Sequence, residues 1–412
     1  MLRLSKGARA SGSIKERAED FRVEEITSSG HVLHIDETYS PGSIGFDDIS
    51  NGKFSVFVMQ KTNWNTAQAL KAVARKFRRG VKSTAFAGTK DRMSVSTQLC
   101  SIFGAEPKDL SNIHIKDIKI NGSWRGGEKI KVGDLLGNRF GISVRNASGA
   151  ERIAGIISEL DGLFPNYFGE QRFGYRGTNV DVGIYILKGD FREAALAFLT
   201  GTSGETNDDS RLARERLANE MDFKKAMEYF PMHLKYERSM LEYLSRFPNN
   251  YANAIRKLPR SISLMFVHSV ESYIFNKELE QRIADRGITP ANGDIICHTN
   301  SYGFPDMKNV APFDGSKPDN AFIVSNILGY DTKSVTEKEQ GAMDELGITT
   351  ESFRVNGLNE LNSKGTYRVM FAPFRGLSHR HDETGNGFEL QFELPAGSYA
   401  TVFLEELLEI PM

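Results

Sequence analysis

Cysteine is nearly absent. The 412 residues hold two, Cys100 and Cys297, too far apart to suggest a disulfide framework and without the paired spacing of a zinc site. No apolar stretch reaches the roughly 18 residues a membrane-spanning helix requires. The opening Met1-Leu2-Arg3-Leu4-Ser5-Lys6-Gly7 has no apolar run behind it, so no secretory leader is expected and the chain is expected to be cytoplasmic. No G-x-G-x-x-G opens a strand–helix unit, and Gly88-Thr89-Lys90 lacks the spaced glycine of a phosphate-binding loop, so a nucleotide cofactor finds no support. Nothing resembles a Ser-His-Asp set at usable local spacing. His379-Arg380-His381-Asp382-Glu383 carries metal-ligand side chains but has no companion ligand, so no metal is expected there. A net charge of −1 excludes a generally basic, sticky protein.

The charge that is present is unevenly placed. Between Lys71 and Arg92 stand eight cations and one anion, Asp91. Most of them fall on one side of an expected helix, Asn65 to Arg79. Its inward stripe is Ala67, Leu70, Val73, Ala74 and Phe77, with Asn65 or Thr66 as cap and Gly80 as terminator. Arg75, Arg78 and Arg79, with Lys90 and Arg92, are therefore candidates for contact with a phosphate backbone. The alternative is a solvated helix face.

The stretch Phe86-Ala87-Gly88-Thr89-Lys90-Asp91-Arg92 carries the most chemical information. A short apolar run ends in a Gly-Thr turn that presents one carboxylate between two cations, which favour its ionised form. Strand-like alternation then resumes, with Met93, Val95, Thr97 and Leu99 on one side and Ser94, Ser96 and Gln98 on the other. A carboxylate held so suits a nucleophile better than a proton donor at neutral pH. An ordinary surface aspartate in a charged turn is the plainer reading of those residues alone.

Length predicts two or three domains. Strands are expected at 54–59, 83–87, 93–103, 115–120 and 139–145, and an amphipathic helix spans Ile153 to Leu163. From about 178 to 285 the pattern is mainly helical, and from 287 to 364 irregular; strand alternation returns at 366–372 and 388–394 before a closing helix near 398–409. Strand-rich ends around a helical middle imply a discontinuous domain with a large insertion.

Four other segments place aromatics beside amides and cations: Asp20-Phe21-Arg22-Val23-Glu24-Glu25, Gly137-Asn138-Arg139-Phe140, Pro165-Asn166-Tyr167-Phe168-Gly169-Glu170-Gln171-Arg172-Phe173-Gly174, and Leu394-Pro395-Ala396-Gly397-Ser398-Tyr399. An unstacked base needs such platforms and edges. Singly, each is more simply a set of core aromatics beside a turn.

Together with the AGTKDR turn and Ser272-Tyr273-Ile274-Phe275-Asn276, these segments resemble, in order and across nearly the whole chain, the TruD family of tRNA pseudouridine synthases. The resemblance implies an α/β (α+β) catalytic domain with a mixed, mainly antiparallel sheet, interrupted by a large helix-rich insertion. Residues 1–165 and 371–412 would form the catalytic domain and 166–370 the insertion. It also implies a tRNA substrate, uridine isomerisation (expected at position 13 of the D arm), no cofactor or metal, and no obligatory protein partner. Asp91 matches the family's catalytic aspartate. Phe21, Asn138 and Tyr399 match positions contacting the target base or sugar, and Phe140 and Lys15 match further active-site positions. A non-catalytic tRNA-binding protein, or another RNA-modifying enzyme such as a methyltransferase, remains an alternative.

Overall fold

The computed structural model describes residues 1–315, 321–381 and 386–409, which leaves Asp382 and Glu383 of the histidine cluster outside it. Along the chain come β1 (Ala10–Ser13), β2 (Phe21–Thr27), β3 (Phe54–Thr62), α1 (Thr66–Lys76), β4 (Thr84–Phe86), β5 (Val95–Phe103), α2 (Pro107–Leu110), β6 (Ile118–Gly126), β7 (Leu135–Ser148), α3 (Ile153–Leu160) and β8 (Leu163–Pro165). A helical run follows: α4 (Asn179–Leu187), α5 (Phe191–Thr200), α6 (Asp208–Glu220), α7 (Phe223–Tyr229), α8 (Lys235–Arg246), α9 (Tyr251–Ile255) and α10 (Arg260–Asp285). The remainder is β9 (Ile295–Thr299), β10 (Pro305–Pro312), β11 (Ala321–Ile327), α11 (Glu337–Leu346), β12 (Thr366–Val369), β13 (Phe371–Pro373), β14 (Arg375–His381), β15 (Gly387–Pro395), α12 (Ala400–Leu407) and β16 (Leu408–Glu409).

The chain divides into two compact bodies. One holds Arg3–Asn166, His298–Asp306 and the chain from Phe371 onward; the other holds Met1–Leu2, Tyr167–Cys297 and Met307–Met370. The first is built on a ten-stranded mixed sheet with the order β14-β15-β7-β2-β5-β3-β6, to which β1, β4 and β16 attach. Its neighbours pair antiparallel except β2 with β5 and β1 with β16, which run parallel. The second body packs helices α4 to α11 around an apolar core that includes Val182, Leu217, Leu241, Val267 and Phe353.

Helix α1 starts where the Asn65 side chain accepts hydrogen bonds from the Ala67 and Gln68 amides, at 2.9 and 3.4 Å. It buries Leu70 and Val73 with Phe57, Met59 and Cys100 of the sheet. It stops earlier than expected. Arg78, not Gly80, takes the left-handed conformation (φ 54°), and the Arg78 and Arg79 amides bond back to the Arg75 and Ala74 carbonyls at 3.1 and 2.9 Å. This is the glycine-type helix stop with an arginine in the strained position.

Two expectations are corrected. The stretch from 287 to 364 is not irregular: it holds β9 to β11 and α11, whose start is a capping box between Thr336 and Glu339. The alternation of β5 does not separate a wet face from a dry one. Central between β2 and β3, β5 is buried on both faces, including Ser96, Thr97 and Gln98.

Candidate active site

Sheet register assembles the site. Cross-strand partners share a face, as do residues two apart. The pairs Lys61–Ser96, Ser96–Val23, Val23–Phe140 and Phe140–Phe392 therefore form one row across β3, β5, β2, β7 and β15. Phe21, Glu25 and Asn138 lie on the same face, and Phe403 of α12 packs on it, 4.7 Å from Phe392 between ring centroids. Because β2 and β5 are parallel, the head of β2 at Phe21 and the Asp91–Ser94 turn entering β5 meet at one end of the sheet. On the opposite face of β7, glycine is required at position 137: a Cβ there would stand 2.2 Å from the Leu394 carbonyl oxygen. Asp20 anchors the head of β2. It accepts bonds of 2.6 to 3.0 Å from Arg145, which hold its carboxyl below the usual range against the opposing effect of burial.

Asp91 is centred in this arrangement. Its Oδ2 pairs with Lys15 Nζ at 2.6 Å, and 38% of its side chain remains exposed. Lys15, itself at φ 59°, places the same ammonium 4.0 Å from the centre of the Phe21 ring. Phe21 meets Phe140 edge-on at 6.1 Å, and Phe140 stacks on Phe392 at 5.3 Å. The site thus joins a partly exposed carboxylate, its counter-ion and an aromatic wall. Two side-chain oxygens on this face, Asn138 Oδ1 and Ser96 Oγ, are buried without a hydrogen-bond partner among the described residues. Such atoms cost about 1–3 kcal/mol each unless something donates to them. Tyr399 is the half-buried residue that starts α12.

Several expectations about individual side chains are corrected. The cation on the Asp91 carboxylate is Lys15, from a distant segment, and not Lys90 or Arg92. Lys90 is 6% exposed and its Nζ lies 2.5 Å from the buried Glu25 Oε2, so it faces away from any phosphate. Arg92 is exposed. Arg75 and Arg78 are exposed, but Arg79 donates to the Gly104 carbonyl at 3.3 Å and lies across that glycine. Phe21, expected as a stacking platform, is only 2% exposed and covered by Lys15, so a base reaches its face only if that ammonium moves. The aromatics of the Pro165–Gly174 stretch serve packing in the helical body. Phe168 exchanges two 2.9 Å hydrogen bonds with the Asn276 side chain and carries the Arg368 guanidinium 4.1 Å over its ring.

Sequence reasoning missed Lys61. It is fully buried, and its Nζ donates to the backbone carbonyl of Asp91 at 2.8 Å. Burial first, then the Lys90 charge, pulls its ammonium down to about 8. Glu25 was missed as well: it accepts from the Leu99 amide at 2.8 Å and from Lys90, tying the turn to the middle of β5. The one available signal was a lysine closing the apolar run of β3. No group of three or more metal-ligating side chains forms among the described residues, and no helix there is long and apolar enough to cross a membrane.

A partly exposed carboxylate on a mixed sheet, gripped by Lys15 beside a set of aromatic rings, is the chemical centre of this body. Comparison with known proteins names the family. Residues 2–407 match the model for tRNA pseudouridine synthase D (TruD). Proteins named as probable tRNA pseudouridine synthase D from Methanosarcina barkeri and Thermococcus sibiricus are 31% and 32% identical, over 97% and 98% of this chain and 93% and 97% of theirs. The crystal structure of the Methanosarcina mazei protein designated tRNA pseudouridine synthase D superposes with a TM-score of 0.75 at 31% identity, covering 99% of this chain and 95% of that one. The chain belongs to the TruD family of tRNA pseudouridine synthases, whose general reaction is the isomerisation of uridine.

Proposed function

We propose that this protein converts a uridine of tRNA, expected at position 13 of the D arm, to pseudouridine, with Asp91 as the nucleophile. The observation that carries the reading is the ion-paired, partly exposed Asp91 carboxylate beside the Phe21–Phe140 wall. The target uridine leaves its stack and enters the site, where aromatic contact with Tyr399 and Phe21 offsets part of the lost stacking. Asn138 Oδ1, without a partner now, accepts a hydrogen bond from the base edge. Asp91 attacks the nucleoside and the N1–C1′ bond breaks. The uracil turns in place, C5 bonds to C1′, the bond to Asp91 breaks to free its carboxylate, and C5 gives up its proton while N1 gains one, so no atom is gained or lost. Lys15, bound to Asp91 Oδ2, holds the carboxylate aimed until substrate arrives.

Incubation of the purified protein with unmodified tRNA transcript, followed by mapping of pseudouridine, tests the reading. Asp91→Asn is nearly isosteric but lacks the anionic oxygen, so it should abolish product while tRNA affinity stays within a few fold. Turnover near wild type in that variant would remove Asp91 from the mechanism.

A further inference from the structure

We propose that Lys61 is the positioning residue of the catalytic turn: its ammonium holds the backbone of Asp91 from beneath, while Lys15 holds the carboxylate. This rests on the assignment of Asp91 above and extends it to a residue that touches no substrate.

The geometry is specific. Lys61 sits at the end of β3, directly across from Ser96, so its side chain runs under the turn that leads into β5. The Asp91 carbonyl accepts two hydrogen bonds, from Lys61 Nζ and from Ser94 Oγ, each 2.8 Å. Elsewhere the turn is fixed by the buried Lys90–Glu25 ion pair and by neutral groups: the Lys90 amide donates to Thr66 Oγ1 at 3.0 Å, and Gln98 Nε2 donates to the Gly88 carbonyl at 3.0 Å. The Ser94 hydroxyl alone would satisfy the Asp91 carbonyl. A fully buried lysine there is a poor choice for stability, since an apolar side chain of the same length spares the desolvation of a charge. What the lysine adds is a positive charge beneath the aspartate.

The groups facing the ammonium are Lys90, Asp91 and the Cys100 thiol, with Glu25 engaged by Lys90. The cluster therefore holds two buried cations against one buried carboxylate, and Asp91 is the remaining anion. With Lys61 titrating at about 8, the grip weakens as pH rises through that value: the neutral amine still offers an N–H but no longer the charge.

Lys61→Met keeps the length and drops both charge and donor. In single-turnover assays its rate of pseudouridine formation should fall about 10- to 100-fold, the order expected from a small displacement of a reacting group. The Kd for tRNA should move less than about twofold, and the Tm should rise. The wild-type rate should decline through an alkaline limb near pH 8 that Lys61→Met lacks and that Lys61→Arg, permanently charged, displaces upward. An unchanged rate, or a lower rate accompanied by a lower Tm and an intact alkaline limb, would overturn the proposal. Should Lys61→Met not fold, the wild-type limb and Lys61→Arg still decide it. A readout independent of turnover is the Asp91 carboxyl carbon resonance, which should shift in wild type as Lys61 titrates near pH 8. Its invariance would sink the proposal, whereas a shift in a protein that modifies no tRNA transcript would sink only the functional reading.

Discussion

Surface arginines are used in opposite ways on α6 and α8 of the helical body and around α1 of the sheet body. In the helical body they are neutralised on their own helices: Arg211 pairs with Asp208 and Glu215 at 2.7 and 3.4 Å, Arg216 with Glu220 at 3.0 Å, and Arg246 with Glu242 at 2.9 Å. On α1 of the sheet body and just past its end, Lys71, Arg75, Lys76 and Arg78 are exposed with no carboxylate partner among the described residues, and α1 contains no acid at all. Intrahelical pairs are worth a few tenths of a kcal/mol each and cost nothing in solubility. Their omission from α1 preserves a local positive potential that a polyanion can use. The same residue type stabilises a surface in one place and keeps it available in the other.

The comparison breaks first by charge removal. Replacing Lys71, Arg75 and Arg78 with Gln should weaken tRNA binding and flatten its log–log salt dependence by roughly 0.7–0.9 per lost phosphate contact. The matched change of Arg211, Arg216 and Arg246 should leave affinity and slope alone. Equal slopes for the two triples would reduce α1 to a solvated face. Arg79 is excluded because its guanidinium already serves Gly104.

A second contrast lies between two aromatics of the sheet body. Tyr399 is half-buried, whereas Phe21 is 2% exposed. Tyr399→Ala should lose about tenfold in kcat/KM, equivalent to about 1.4 kcal/mol, with Tyr399→Phe close to wild type because the ring remains. Phe21→Ala should lose activity too, and in addition lower Tm, since a buried Phe-to-Ala change costs about 3–5 kcal/mol. A Tyr399→Phe variant as impaired as Tyr399→Ala would move the role from ring to hydroxyl.

The smallest effect separates stability from binding on α1 itself. Arg78 holds a left-handed conformation that costs a non-glycine residue about 1 kcal/mol. Arg78→Gly should therefore raise stability by about that amount in urea titrations and still bind tRNA more weakly. A destabilised Arg78→Gly would mean the side chain packs for stability and carries no strain for binding.

Much of this was legible in the residues. The AGTKDR turn, the Asn65 cap, Leu70, Val73 and Ala74 of the α1 stripe, and the alternation of β15 are local patterns that survive in the fold, whereas Ala67, expected inward, is exposed and Ala69 is buried instead. What escaped depended on contacts across long stretches of chain. Lys15 and Asp91 are 76 positions apart, and Glu25 and Lys90 are 65 apart, so the adjacent cations of the turn were natural but wrong partners for its carboxylate. Burial on both faces of β5 was hidden because serines and glutamine looked like a wet side; they are paired or enclosed by β2 and β3. The strands between 295 and 327 were short runs flanked by turn residues, which composition alone classes as loop.

Ala10 of β1 pairs in parallel with Leu408 of β16, and the amides of Leu4 and Ser5 donate to the Glu406 carboxylate at 3.1 and 3.0 Å. The sheet is thus stitched together by the two ends of the described chain, and Tyr399 arrives only a few residues before the last stitch. One edge of β1 pairs with β7, but its other edge is filled only by β16, almost 400 positions further along. A chain cut short before its last segment carries the Asp91 carboxylate and the basic helix but lacks both β16 and Tyr399.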